Sequence, residues 1–131
     1  MTQKVMNVRP IARDSWPAEL DSFSRQHEGW LVSIKTRMPD GDMAVDAHDL
    51  PLQGVSQTGP GTNDIAIAVG DTDNHLTHEV HDAVALRIDL TADQAERALV
   101  IDAQDGSTTS VEFRSPTRVE EVDGLPAPHR G

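Results

Sequence analysis

Residues 75 to 90 read "HLTHEVHDAVALRIDL", and the fold class turns on whether this run is helix or strand. A four-residue step links Leu76, Val80, Val84 and Ile88, as one face of a helix would. The same run also alternates with period two. Leu76, His78 and Val80, then Val84, Leu86, Ile88 and Leu90, all fall on one parity, against Arg87 and Asp89. Composition decides between the two. Thr77, Val80, Val84 and Ile88 are β-branched, and Thr, His and Asp are poor helix formers. The run is therefore expected as strand.

That reading also governs the histidines at 75, 78 and 81. On a strand, His75 and His81 share a face but lie about 20 Å apart, six residues at ~3.3 Å rise. His78 points to the other face. Zinc holds nitrogen ligands at ~2.0 to 2.1 Å, so one ion cannot join two of the three. No metal and no other cofactor is expected. An EF-hand register starting at Asp71 puts Leu76 where glycine is needed and Asp82 where a bidentate Glu is needed. His78 shares the parity of Leu76 and Val80 and is expected to point inward. It would be either a buried neutral imidazole with a hydrogen-bond partner or a ligand-facing residue in a barrel mouth. In the second case His48 or Asp49 on an adjoining strand would join it. His78, His48 and Asp49 are the candidate ligand-binding residues, and no residue is assigned a catalytic role.

Upstream, "RDSWPAELDSFSRQHEGW" (13–30) carries Trp16, Leu20 and Phe23 at one-face helical spacing. Asp14 or Ser15 can cap this helix, Pro17 suits its first turn, and Gly29 offers a left-handed stop. His27 is expected on its exposed polar face. Ser24 lies one turn before His27, but there is no strained nucleophile elbow to suggest Ser–His chemistry. After Gly29 the period changes to two. "WLVSIKT" and Met43, Val45 and Ala47 form a hairpin about the turn "PDGD". "LPLQGVSQTGPGTN" (50–63) reads as a bent edge followed by a loop. It has no lysine to hold a phosphate, so it is not a P-loop. "DIAIAVG" is a strand whose small Ala66 and Ala68 suggest close packing under the helix. "TADQAERA" has capping-box spacing from Thr91 to Gln94, which fits a short helical turn. "LVIDAQDGSTTSVEFR" is a second hairpin, with Leu99 and Ile101 facing Val111 and Phe113. Residues 1–10 are expected as a flexible leader, 11–116 as one globular domain and 117–131 as a disordered acidic, Pro-rich tail. The fold class that fits is mainly β, or α+β: an N-terminal helix packed on a bent antiparallel sheet or small barrel of six or seven strands.

Composition narrows the function. The chain has 131 residues, the size of one domain. Trp16, Phe23, Trp30 and Phe113 are its only aromatic residues, so Val, Ile, Leu and Ala must build the core. The two tryptophans are expected in that core rather than on a ligand. There is no cysteine, which excludes disulfides, thiol chemistry and Cys-based zinc sites. The formal net charge is -11, which disfavours nucleic acid and anionic membrane as partners. The N-terminus has no apolar signal region, so a cytoplasmic, bacterial-type protein is the default expectation.

The stretch from about Ile11 to Pro116 resembles a small family of uncharacterised bacterial proteins, a domain of unknown function. The likeness rests on "RDSWPAELDSFSRQHEGWLVSI", "LPLQGVS", "DIAIAVGD", "HLTH" and "DGSTTSVEFRSP". It implies a free-standing bacterial domain with no catalytic residues to carry over. "HLTH" matches His75 to His78 without a role for either. The expected function is a small module that binds a ligand or another protein without catalysis. One rival is a His- or metal-dependent enzyme built around His78 with His48, Asp49 or Glu79. The other is a structural subunit that forms a homo-oligomer through sheet edges.

Overall fold

The structure is a computed structural model that describes residues 7–58, 63–71, 73–92 and 94–118, with backbone alone for 115–118. Its strands are β1 (Asn7–Ile11), β2 (Leu31–Arg37), β3 (Met43–Thr58), β4 (Asp64–Gly70), β5 (His75–Val80), β6 (Ala83–Leu90), β7 (Ala95–Ala103) and β8 (Thr108–Arg118). A 3-10 turn (Arg13–Ser15) leads into the helix α1 (Trp16–Gln26). The eight strands among the described residues form one open antiparallel sheet in the order β1-β6-β7-β8-β2-β3-β4-β5. The architecture is thus mainly β with one short helix, as expected. The sheet is larger than expected, however, and it does not close into a barrel. No helix among the described residues is long and apolar enough to cross a membrane.

The run 75–90 is strand, divided by a turn at His81 and Asp82 into β5 and β6. Trp16, Leu20 and Phe23 are buried, as their spacing predicts. Trp16 Nε1 donates to the Ile11 carbonyl at 3.1 Å, and the Arg13 guanidinium lies 4.7 Å from the Trp16 ring centre. Gly29 ends the helical segment with φ +86°. Ser24 ties the helix to the sheet: the Val55 N–H donates to its Oγ at 2.8 Å. The hydroxyl lies within reach of the Leu20 and Val55 carbonyls, at 2.8 and 3.0 Å. That leaves Ser24 fully engaged in architecture.

Two segment boundaries differ from expectation. Residues 7–10, expected in a loose leader, form most of β1 and pair antiparallel with β6. The strand is short, exposed and contains Pro10, which an edge tolerates because one row of its backbone groups faces no partner among the described residues. At the other end β8 continues to Arg118, pairing Thr117 with Glu96. The rest of the expected tail, 119–131, lies outside the described residues.

Of the stretch 50–63, read as a bent edge followed by a loop, residues 50–58 are strand: they complete the 16-residue β3, whose second half pairs with β4 and is bulged between Leu52 and Gly54. Two other expectations fail for local backbone reasons. Thr91, Ala92 and Gln94 are not helical. Thr91 Oγ1 accepts from the Ala95 N–H at 3.1 Å in a tight turn, and Gln94 takes φ +69°. Finally, Met43, Val45 and Val84 are exposed although their parity suggested the core. β-Bulges account for the two valines. Ala47 pairs with Ile34 and Val45 with Lys35, so β3 advances two residues while β2 advances one. Val45 is thereby sent to the face of Lys35. Ala83 pairs with Ala103 and Ala85 with Asp102, which places the extra residue at Val84.

The inner face of the sheet holds Val32, Ile34, Ile65, Ile67, Ile88, Leu99, Ile101 and Val111, all nearly inaccessible, with α1 across them. The outer face carries a ladder of charge pairs. Lys35 meets Glu112 at 3.0 Å, and Arg87 meets Asp102 at 2.9 Å and Asp89 at 3.2 Å. This is the usual division of an antiparallel sheet between core and solvent.

Candidate functional site

The residues that the sequence nominates lie on β3 and β5. His78 lies on β5 and is only half-buried, with Nε2 3.8 Å from Asp46 Oδ2. It is not a core histidine. β5 is an edge strand, and of its residues only Val80 is buried while Leu76 stays 38% exposed. His48 is mostly exposed; its Nε2 is 3.6 Å from Asp49 Oδ2 and its Nδ1 3.4 Å from Ser33 Oγ. Asp49 takes φ +50° at an irregular step in the β2–β3 ladder, and its N–H donates to Ser33 Oγ at 3.1 Å. Asp46, the partner of His78, lies on β3 two residues before His48. His81 sits 3.5 Å from Asp64 and 3.7 Å from Glu79. No group of three or more metal-ligating side chains is found among the described residues.

A different histidine occupies the centre of the molecule. His27 was expected on the exposed face of α1; instead it is 0% exposed. The stripe of Trp16, Leu20 and Phe23 continues one turn further, and His27 is its next member at i+4 from Phe23. Three of the four aromatic residues of the chain surround its ring. Phe23 and Phe113 each have their ring centre 4.6 Å away, and Trp30 meets it edge-on at 5.2 Å. Nδ1 lies 2.8 Å from the Phe23 carbonyl. A carbonyl only accepts, so Nδ1 carries the proton and donates it.

That leaves Nε2, which stands 3.1 Å from Oε1 of Glu96. Glu96 is itself 4% exposed. The distance is short, but neither atom has an aligned hydrogen bond among the described residues. Glu96 reaches this position through a bulge. Asp89 pairs with Ala98 and Leu90 with Glu96, so β7 advances two residues while β6 advances one. Simple alternation would place Glu96 outside, with Ala98 and Val100. The extra residue, Arg97, turns it inward beside the core face of Leu90.

The second oxygen of Glu96 faces Arg9 of β1, with Oε2 3.8 Å from a guanidinium nitrogen. Arg9 also meets Glu19 of α1 at 3.4 Å. Around these groups lies a cavity of about 330 Å³. Ile11, Leu20, Phe23, Ile88 and Leu99 form its apolar lining, and Arg9, Glu19, Ser22, Gln26 and Glu96 supply its polar groups. The size and the mixture of an apolar lining with a few convergent polar groups match small-molecule sites, whose volumes run from roughly 300 Å³ upward. A larger groove of about 750 Å³ runs between α1 and β3–β4, over Ala66 and Ala68. Those alanines line open space beside the helix rather than a close packing beneath it. Among its polar groups, Ser24 is engaged as described and Gln53 donates to the Gly70 carbonyl.

Residues 7–122 match the model of a family described as "Family of unknown function (DUF5335)". The chain belongs to this family. No curated protein and no solved structure matches the chain. Membership accounts for the resemblance read from the sequence and assigns no role to any residue. In this DUF5335 chain the buried polar chemistry is concentrated at Glu96 and His27.

Proposed function

We propose that this protein is a small ligand-binding module that carries out no reaction of its own, and that its binding site is the cavity between β1, α1 and β7. One observation carries this reading. A carboxylate at 4% exposure lines the cavity, and its Oε1 lacks an aligned hydrogen bond among the described residues. Burying an ionisable group costs stability unless it is well paired, and native interiors rarely leave such a group poorly satisfied without a purpose. The apolar lining supplies contact area and the polar mouth supplies orientation, the usual division of labour in a binding pocket.

The test is a fragment mixture titrated into the ¹⁵N-labelled full chain, with amide shifts mapped on the fold. Binding at this site moves the amides of Arg9, Ser22, Gln26, Glu96 and Leu99 together. Hits that map only to the groove over Ala66 and Ala68, or no hits at all, would overturn the assignment.

A further inference from the structure

We infer that the ligand of this cavity is a small organic cation, an ammonium or guanidinium head on a short apolar stem. The inference rests on the binding reading above and names its chemistry. Two carboxylates, Glu19 and Glu96, converge on the cavity from α1 and β7, and among the described residues one cation, Arg9, stands between them. Neither contact of Arg9 is close: 3.4 Å to Glu19 and 3.8 Å to Glu96, against about 2.7 to 2.9 Å for a well-made charge-assisted hydrogen bond. Arg9 is also half-exposed on a short edge strand. The chain's own guanidinium thus fills the cation position loosely. An incoming head group can approach Glu96 more closely, while its stem lies on Phe23, Ile88 and Leu99. A formal net charge of -11 adds a long-range field that concentrates cations and repels anions.

Four probes of matched length test this on the full chain: n-butylammonium, n-butylguanidinium, n-butanoate and n-butanol. Amide shifts are followed in about 0.01 M salt, where the screening length is about 30 Å. The expected result is that both cations move the amides of Arg9, Glu19, Glu96 and Leu99 at lower concentration than butanol, and that butanoate does not. Glu96→Gln is expected to weaken cation binding about tenfold, as loss of one charge-assisted contact would. Should that variant fail to fold, two exposed changes replace it. Glu19→Gln should weaken the cations severalfold, and Arg9→Ala, which removes the internal competitor, should tighten them severalfold. Arg9→Ala that weakens the cations overturns the inference. Butanol or butanoate shifting these amides as well as the cations leaves the pocket in place and refutes the cation. If no probe shifts them, the pocket reading falls as well. A capped arginine distinguishes the source. Binding as tight as butylguanidinium assigns the head group to a protein side chain, weaker binding assigns it to a free molecule, and both outcomes support a cation site.

Discussion

Nε2 of His27 stands 3.1 Å from Oε1 of Glu96, yet the two atoms do not align as a hydrogen bond. One comes from the last turn of the helical segment and the other from a bulge at the start of β7. Removing one partner strands the other in the core, which in comparable buried pairs costs about 3 to 5 kcal/mol. Replacing both with apolar groups of similar size removes the desolvation cost along with the contact. Glu96→Ala and His27→Ala are therefore expected each to lower stability by several kcal/mol. The His27→Leu, Glu96→Leu double variant should be at least as stable as the parent in a urea melt. A double variant no better than the worse single one would mean that the pair is needed for the fold itself.

Leu20 lies at the middle of the α1 stripe and is 1% exposed. Leu20→Ala leaves a cavity between helix and sheet, and the expected loss is about 2 to 5 kcal/mol. A denaturant midpoint unchanged within error would show that α1 does not depend on this contact.

What the sequence reveals depends on whether the chain keeps its period. Trp16, Leu20 and Phe23, and the hairpin around Gly106 with Leu99 opposite Val111, hold a regular repeat, and each is legible from residue types alone. The failures fall where one extra residue changes the face. Val45, Val84 and Glu96 each sit at a bulge, and at each the parity rule names the wrong side. A bulge has no reliable signal in a single sequence, so the inward turn of Glu96 was not accessible. His27 is different. Its i+4 spacing from Phe23 extends the apolar stripe, and a polar residue type concealed a core position. The sequence drew attention to the exposed histidines of β5 because they are clustered, while the chemistry gathers around a histidine that stands alone.

Gly70 turns the chain from β4 into β5 at φ +104°. A methyl group there would lie 2.0 Å from the Asn74 carbonyl oxygen, a backbone atom that cannot step aside. Gly70→Ala is expected to destabilise by about 1 to 3 kcal/mol, combining the unfavourable φ with the clash. The thermal midpoint measures it, and a neutral result would mean that the turn takes another form.

Asp64 accepts from the Asp82 N–H at 3.0 Å, and this bond, helped by nearby His81, holds its pKa below the ordinary 3.8. The folded state thus favours the ionised carboxylate. The resulting stabilisation is full above the unfolded pKa and is lost as pH falls through the lower folded value. In a His81→Gln background, which removes the imidazole, Asp64→Asn should lower stability by a constant amount near neutrality. The difference should shrink as the pH drops below 3.8. A difference that persists unchanged in acid would assign the effect to shape rather than charge.

The histidines of β5 and the following turn provide the last prediction. His75 and His81 lie at opposite ends of the segment, about 20 Å apart by strand rise, so no ion can bridge them. His78 engages Asp46, and His81 engages Asp64 and Glu79, at distances of 3.5 to 3.8 Å. Each imidazole can offer at most a weak site with one or two carboxylates. The untagged protein, stripped with chelator and exposed to zinc, nickel or copper, is expected to retain less than one ion per chain after desalting. Single imidazoles will still bind metal weakly, more so as rising pH deprotonates them. One tightly held ion, lost in both His75→Ala and His78→Ala, would require β5 to rearrange on binding and would move the site from Glu96 to this edge.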